Sequence, residues 1–453
     1  MKRSYEMDMC NGPLLGKILS YAMPLMLSGI LQLLFNAADV IVVGRFAGHE
    51  SLAAVGSTTA LINLLINVFI GLSIGANVLV AQYFGARKDR EVSETVHTAV
   101  TVSLVCGVLL VVIGTFASAP LLSLMGTPAD VLSKASLYMR IYFMGMPVIM
   151  LYNFGAAILR AIGDTRRPLY FLMTAGVVNV LLNLMFVIIF HMGVAGVALA
   201  TVLSQCISAA LVCRCLAKSD SSYRLEFSKL RINRRMLGRI ARIGLPAGFQ
   251  GAVFSISNVL VQSSLNSFGS VAMAGSTAAS NLEGFVYNAM NSIYQTNLSF
   301  TSQNIGGGKF SRINRILMLC LAVVTVIGLV MGGSFVLLGS HLLGIYSSDP
   351  AVIQNGLKRM MVICAPYFIC GWMDVLVGSL RGLGYAVLPM LVSLTGACGL
   401  RVVWLYTVFQ WHPTLETLYL AYPVTWLVTA IAHLCCFLLV RRKFPKEDRR
   451  DAA

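Results

Sequence analysis

Charge is what this chain has least of: 11% of its 453 residues are Asp, Glu, Lys or Arg, where a soluble domain carries roughly 25%. Hydrophobic residues make up 57%, and mean hydropathy is +0.78. This excludes a chain folded around one core in water and calls for a polytopic membrane protein, whose spans need ~20 apolar residues each. Long polar stretches are scarce as well. The exception is RCLAKSDSSYRLEFSKLRINRRMLGR, residues 214 to 239. The eleven cysteines show neither an extracellular framework nor metal-ligand spacing. Most of them, Cys106, Cys206, Cys320, Cys364, Cys370, Cys435 and Cys436, lie inside apolar runs as small packing residues. No Ser/His/Asp or Cys/His constellation suggests hydrolysis, so neither an enzyme nor a metal or organic cofactor is expected.

What is present is a succession of long apolar runs between short polar turns. They predict twelve helices at approximately 16–43, 52–84, 95–118, 136–161, 168–190, 194–216, 240–266, 272–304, 314–340, 358–381, 386–411 and 414–440. The polar break divides the chain into an N-lobe at 1–214, a linker at 215–239 and a C-lobe with a basic tail at 240–453. With the N-terminus inside, 28 of the 34 Lys and Arg fall in inner loops and tails. Five, Arg45, Lys134, Arg140, Lys358 and Arg359, fall outside. The asymmetry predicts both termini in the cytoplasm and explains the net charge of +16 without nucleic acid. The N-terminus starts basic and runs into a full span without a small-residue cleavage site, which fits a signal anchor.

The halves repeat. GKILSYAMPLMLSG at 16 matches GRIARIGLPAGFQG at 238 through Gly16/Gly238, Pro24/Pro246 and Gly29/Gly251. AQYFGARK at 81 matches SQNIGGGK at 302, and ILRAIGDTRRP at 158 matches SLRGLGYAVLP at 379, all at offsets of 221 or 222 residues. An even number of spans per half keeps the repeats parallel. The expected fold is therefore an all-α polytopic membrane protein of twelve transmembrane helices, in two parallel-repeat six-helix lobes around a central cleft.

Proline early in the first helix, then FNAADVIVVGRFAGHESLAAVG, AQYFGARK, GDTRRPLY, MGVAGVALATVLSQ and GSLRG occur in the order seen in the multidrug and toxic compound extrusion (MATE) family, which the chain resembles over nearly its whole length. The resemblance implies a bacterial plasma-membrane antiporter, driven by H+ or Na+, that exports small organic, often cationic, compounds. It implies a lipid-embedded monomer.

Of the eighteen acidic residues, only Asp39, Glu283 and Asp374 fall within predicted spans. A carboxylate there can bind a proton or Na+ and lose its charge in doing so. Asp39 either pairs with Arg45 as a structural group or, as the family resemblance implies, forms the cation site of the N-lobe. Asn179 and Asn183, four apart, share one face of the fifth helix; the family places polar residues there, with Asn183 standing where several relatives have an aspartate. Thr201 matches the family's hydroxyl on the sixth helix. Asp374 matches a C-lobe acid that NorM-like relatives use for Na+, but their acid on the seventh helix is absent here. Arg401, expected as the one basic residue inside a span, pairs with Asp374 or with Glu283, or Glu283 attracts cationic substrates instead. The repeat sets uncharged Val261 opposite Asp39.

Pro24 and Pro246 are expected to let the first and seventh helices bend. Methionines such as Met23, Met26, Met144, Met146 and Met150 either soften a substrate cleft or pack the core. GDTRRP reads as an inner turn in which Asp164 and Thr165 cap the next helix and Pro168 starts it. His191 and His412 fall at equivalent outer loops. A lipid-linked oligosaccharide or lipid flippase of the same superfamily is the alternative function; it favours a more cationic cleft, for which only Arg401 is available.

Overall fold

The computed structural model describes residues 5–448. Lys2, Arg3, Arg449 and Arg450, which contribute to the basic inner tails, lie outside the described residues, as does the start of the signal-anchor sequence. Within them the chain is helical, with no strand among the described residues. The spans are α1 Leu14–Phe46, α2 His49–Gly85, α3 Asp89–Leu124, α4 Ala129–Met144 with Met146–Ala161, α5 Arg166–Leu184, α6 Gly193–Ala217, α7 Arg234–Asn266, α8 Ser270–Gly306, α9 Ser311–Leu337, α10 Pro350–Ile363 with Phe368–Gly382, α11 from Val387 to Trp411 and α12 Leu415–Arg441.

Among the described residues, nine of these spans are single helices long and apolar enough to cross a membrane, and the two bent pairs raise that to eleven. The twelfth is α8, which the polar SNLEG and QTNLSFTSQN segments interrupt. Its polar side chains are instead enclosed by protein: Glu283, Asn297, Gln303 and Asn304 are all buried.

Two expected spans are not single rods. The fourth bends by 51° at Gly145 and the tenth by 47° around residues 364–367. Pro147 just after the first break and Pro366 inside the second lack the N–H that a continuous helix needs. Two further irregularities are π-turns, at Met185–Ile189 following α5 and at Leu394–Gly399 within α11.

Two compact units emerge, and they differ from the chain-order halves at two helices. The first unit holds residues 5–8 with Ile30–Ala252, and the second holds Met9–Gly29 with residues 253–448. The opening of α1 thus belongs with the second unit, and the opening of α7 with the first. Close packing explains both placements. In the first unit, a Cβ on Gly71 would stand 2.3 Å from the Gly248 nitrogen and one on Gly75 2.3 Å from the Ile240 carbonyl oxygen, so α2 and α7 meet backbone to backbone. Small residues permit such contact in lipid, where apolar burial gives helices little reason to associate. In the second unit, the hydroxyl of Tyr21 donates to Ser299 Oγ at 2.9 Å and its ring meets Phe300 edge-on at 5.7 Å.

Candidate functional site

Asp39 reaches its partners because α1 and α5 approach closely one turn earlier. A Cβ on Gly176 would fall 1.9 Å from the ring of Phe35, so glycine is what lets that ring lie against α5. One turn on in α1 and two turns on in α5, the amide of Asn183 donates to Asp39 Oδ1 and to Asn179 Oδ1 at 3.3 Å. The Asn179 amide donates in turn to Thr201 Oγ1 at 3.5 Å. Asp39, Asn179, Asn183 and Thr201 therefore form one chain of hydrogen bonds across α1, α5 and α6. Asn183 is fully buried, Asn179 nearly so, and Asp39 partly.

Every direct partner in this chain is neutral. Among the described residues Asp39 makes no ion pair, so the pairing with Arg45 is not formed. The set offers carboxylate, amide and hydroxyl oxygens, the hard donors that protons and alkali cations take. Two residues of the neighbourhood are additions to the set expected from the sequence: Tyr138 and Tyr142 of α4, stacked at 6.1 Å, lie within electrostatic reach of Asp39. Their spacing of four on a helix is the signal that the sequence offers for them.

In the second unit the expected pairings are replaced by others. Glu283 forms a two-pronged ion pair with Arg359, Nε to Oε1 and Nη2 to Oε2 at 2.8 Å each. Arg359 Nη1 also donates to Ser276 Oγ at 2.8 Å. Arg359 is thus no outer-loop residue but a buried one inside α10, so Arg401 is not the one basic residue within the spans. Arg401 meets neither Asp374 nor Glu283. Its Nη1 donates to Asn258 Oδ1 at 3.1 Å and to Ser257 Oγ at 3.5 Å, and its guanidinium lies 4.3 Å over the Tyr422 ring. Asp374, partly exposed on α10, makes no ion pair among the described residues.

The remaining expectations fall elsewhere. α1 and α7 run through Pro24 and Pro246 as continuous helices. His191 and His412 are exposed, and Met146 and Met150 are fully buried packing residues, whereas Met23 and Met144 are exposed. In the GDTRRP turn Asp164 accepts the backbone N–H groups of Arg166 and Arg167 and pairs with the Arg167 side chain. Asp164 rather than Thr165 supplies the cap, and the helix starts at Arg166, before Pro168. Burial pushes the Asp164 carboxyl above its usual range, although Arg167 and the two N–H bonds pull it down.

The MatE family model matches the chain twice, over residues 24–185 and 246–407. The chain is 28% identical to a protein of Bacillus subtilis (strain 168) named probable multidrug resistance protein YoeA, covering 91% of this chain and 90% of that one. It is 24% identical to the FAD transporter of Shewanella oneidensis, covering 95% of each. A solved structure described as the outward-facing conformation of a multidrug resistance MATE family transporter superposes with a TM-score of 0.89 at 21% identity, over 98% of both chains. The fold is therefore the two-lobe, twelve-helix fold of that family.

Proposed function

The chain belongs to the MatE family, and from that premise we propose that it is a cation-coupled antiporter that exports small organic compounds, drugs and toxins among them, by alternating access of its two units. Its place is the plasma membrane of a bacterium, with both termini in the cytoplasm. The multidrug-resistance names of its relatives support export. The observation that carries the coupling is Asp39, a carboxylate in a span whose direct hydrogen-bond partner is a neutral amide. Such a group meets the cost of its charge in the membrane by taking up H+ or Na+.

Asn183 turns its NH2 toward Asp39 while its Oδ1 is enclosed without a donor, so rotation of that amide would bring an oxygen to a cation held by Asp39. Asn179 and Thr201 extend the oxygen set. Bringing one cation inward on Asp39 while substrate leaves outward draws on ~2.3 kcal/mol per 100 mV, and a proton adds ~1.4 kcal/mol per pH unit. One carboxylate therefore suffices for substantial concentration of substrate. Pro24 and Pro246 each remove a backbone donor inside a span, which eases bending of α1 and α7 as the site changes charge.

The test is efflux of a fluorescent organic cation from proteoliposomes under a proton gradient and, separately, under a Na+ gradient. One of the two should drive export and identify the coupling ion; if neither does, coupled export is the wrong reading.

A further inference from the structure

The π-turns establish which residues occupy equivalent places in the two units. A π-turn closes i→i+5 and so takes up one residue more than an α-turn. Before the turn Leu394–Gly399 the halves run 221 residues apart, as at Pro168 and Pro389. From within it onward the buried positions 175, 176, 179, 183 and 187 recur at 397, 398, 401, 405 and 409, an offset of 222. The turn Met185–Ile189 in the first half restores 221, so that buried positions of α6 such as 194, 197, 198, 200 and 204 recur in α12 at 415, 418, 419, 421 and 425. On this register Asn179 answers to Arg401 and Thr201 to Tyr422. In α1 and α7, aligned through Pro24 and Pro246, Asn36 answers to Asn258. The contacts agree: where Asn179 reaches Thr201, Arg401 lies over Tyr422.

The second unit thus holds a permanent positive charge where the first collects oxygens around a carboxylate. Arg401 is 2% exposed, its Nη1 bonds are to neutral acceptors, and its Nε is enclosed without a partner. Among the described residues no carboxylate lies within ion-pair distance of it. A guanidinium stays charged at any physiological pH and, inside a membrane, wants a counter-ion. The group is nevertheless within reach of an open surface. Asn258 is exposed, and Gln262 and Asn266, four and eight residues further along α7, continue an exposed amide stripe in which Gln262 donates to Asn266 at 3.3 Å. Amides on a lipid-facing stripe are costly, so this face is a wet one.

We infer that Arg401, with Asn258 in front of it and Tyr422 behind it, is a subsite for the oxyanion, phosphate or carboxylate, of an exported organic solute. The inference rests on the reading of the chain as an exporter and extends its substrates to solutes bearing a negative group. Unlike the enclosed Nε, Arg401 Nη2 is not shut in and donates to none of the described residues, and a guanidinium matches the planar geometry of an oxyanion better than a point charge does.

The test measures binding of riboflavin 5′-phosphate and of riboflavin, which share a fluorophore and differ by one phosphate, to the full chain in phosphatidylcholine nanodiscs. The phosphate form should bind at least ~10-fold more tightly. Arg401→Gln should abolish that preference and Arg401→Lys retain part of it. Asn258→Asp, which supplies an internal counter-ion, should abolish it while raising the melting temperature, so loss of folding does not explain the result. Asp39→Asn should leave the preference unchanged, which separates this subsite from the coupling reading. Equal affinity for the two probes in the unaltered chain, including no binding of either, overturns the inference, as does a preference that survives both Arg401→Gln and Asn258→Asp. Displacement of the probe by phosphatidylglycerol in the nanodisc but not by free phenyl phosphate assigns the site to a lipid headgroup and overturns the solute reading.

Discussion

The two units share a plan and differ in sign. Both halves of the chain carry a proline in the opening helix, a bent fourth helix and a π-turn beside a buried polar residue. Yet Asp39 is matched by Val261, and Asn179 by Arg401. In the first unit the charged group within the span is a carboxylate among neutral partners; in the second a guanidinium is supported by a ring and two neutral acceptors. The comparison teaches that the repeat copies backbone geometry, which packing enforces, whereas the charge at a given place is decided by single side chains.

The largest expected effect comes from removing the Asp39 carboxylate. Asp39→Asn should abolish ion-driven export in proteoliposomes while the protein still melts cooperatively, and adding Val261→Asp should not restore it, because Leu405 offers the second unit no equivalent of the Asn183 amide. Export retained by Asp39→Asn would mean that the units do not divide their roles in this way.

Next in size is the buried ion pair of the second unit. Arg359→Met leaves Glu283 enclosed without its partner and should destabilise the protein by ~3–5 kcal/mol, read from detergent-resistant melting. Pairing it with Glu283→Gln should recover most of that loss. A smaller effect is expected at the helix approach that positions Asp39. Gly176→Val would collide with Phe35 and should cost ~1–3 kcal/mol, with Phe35→Ala restoring much of it. The second unit has no such constraint, since Ser257 and Cys398 occupy the matching places. The smallest effect belongs to the exposed pair of Lys358 and Glu416 at 3.3 Å; Lys358→Ala should change stability by under ~1 kcal/mol.

Much of this is legible in the amino-acid sequence. Composition and run length require a membrane protein of many spans, and the matched motifs around Pro24/Pro246 and Gly163/Gly384 reveal the repeat. Asp39, Asn179, Asn183 and Thr201 stand out through one acid in an apolar run, a spacing of four and a family resemblance, and they come together. The partners of the second unit are less legible. Arg359 sits beside Lys358 near the start of a span, and no spacing rule says that one faces solvent while the other turns inward to Glu283. Hydropathy continues unbroken across the bends in α4 and α10, and the signal the sequence offers for them is Pro147 and Pro366.

By itself the sequence determined the membrane environment, the number of spans and the presence of three acids within them, since each follows from the cost of polar groups in hydrocarbon. Only the tertiary structure decided which charges meet, which register the two π-turns impose and where the guanidinium of Arg401 stands. Those depend on helix rotation and approach, which are set by contacts such as Gly176 with Phe35 between residues far apart in the chain.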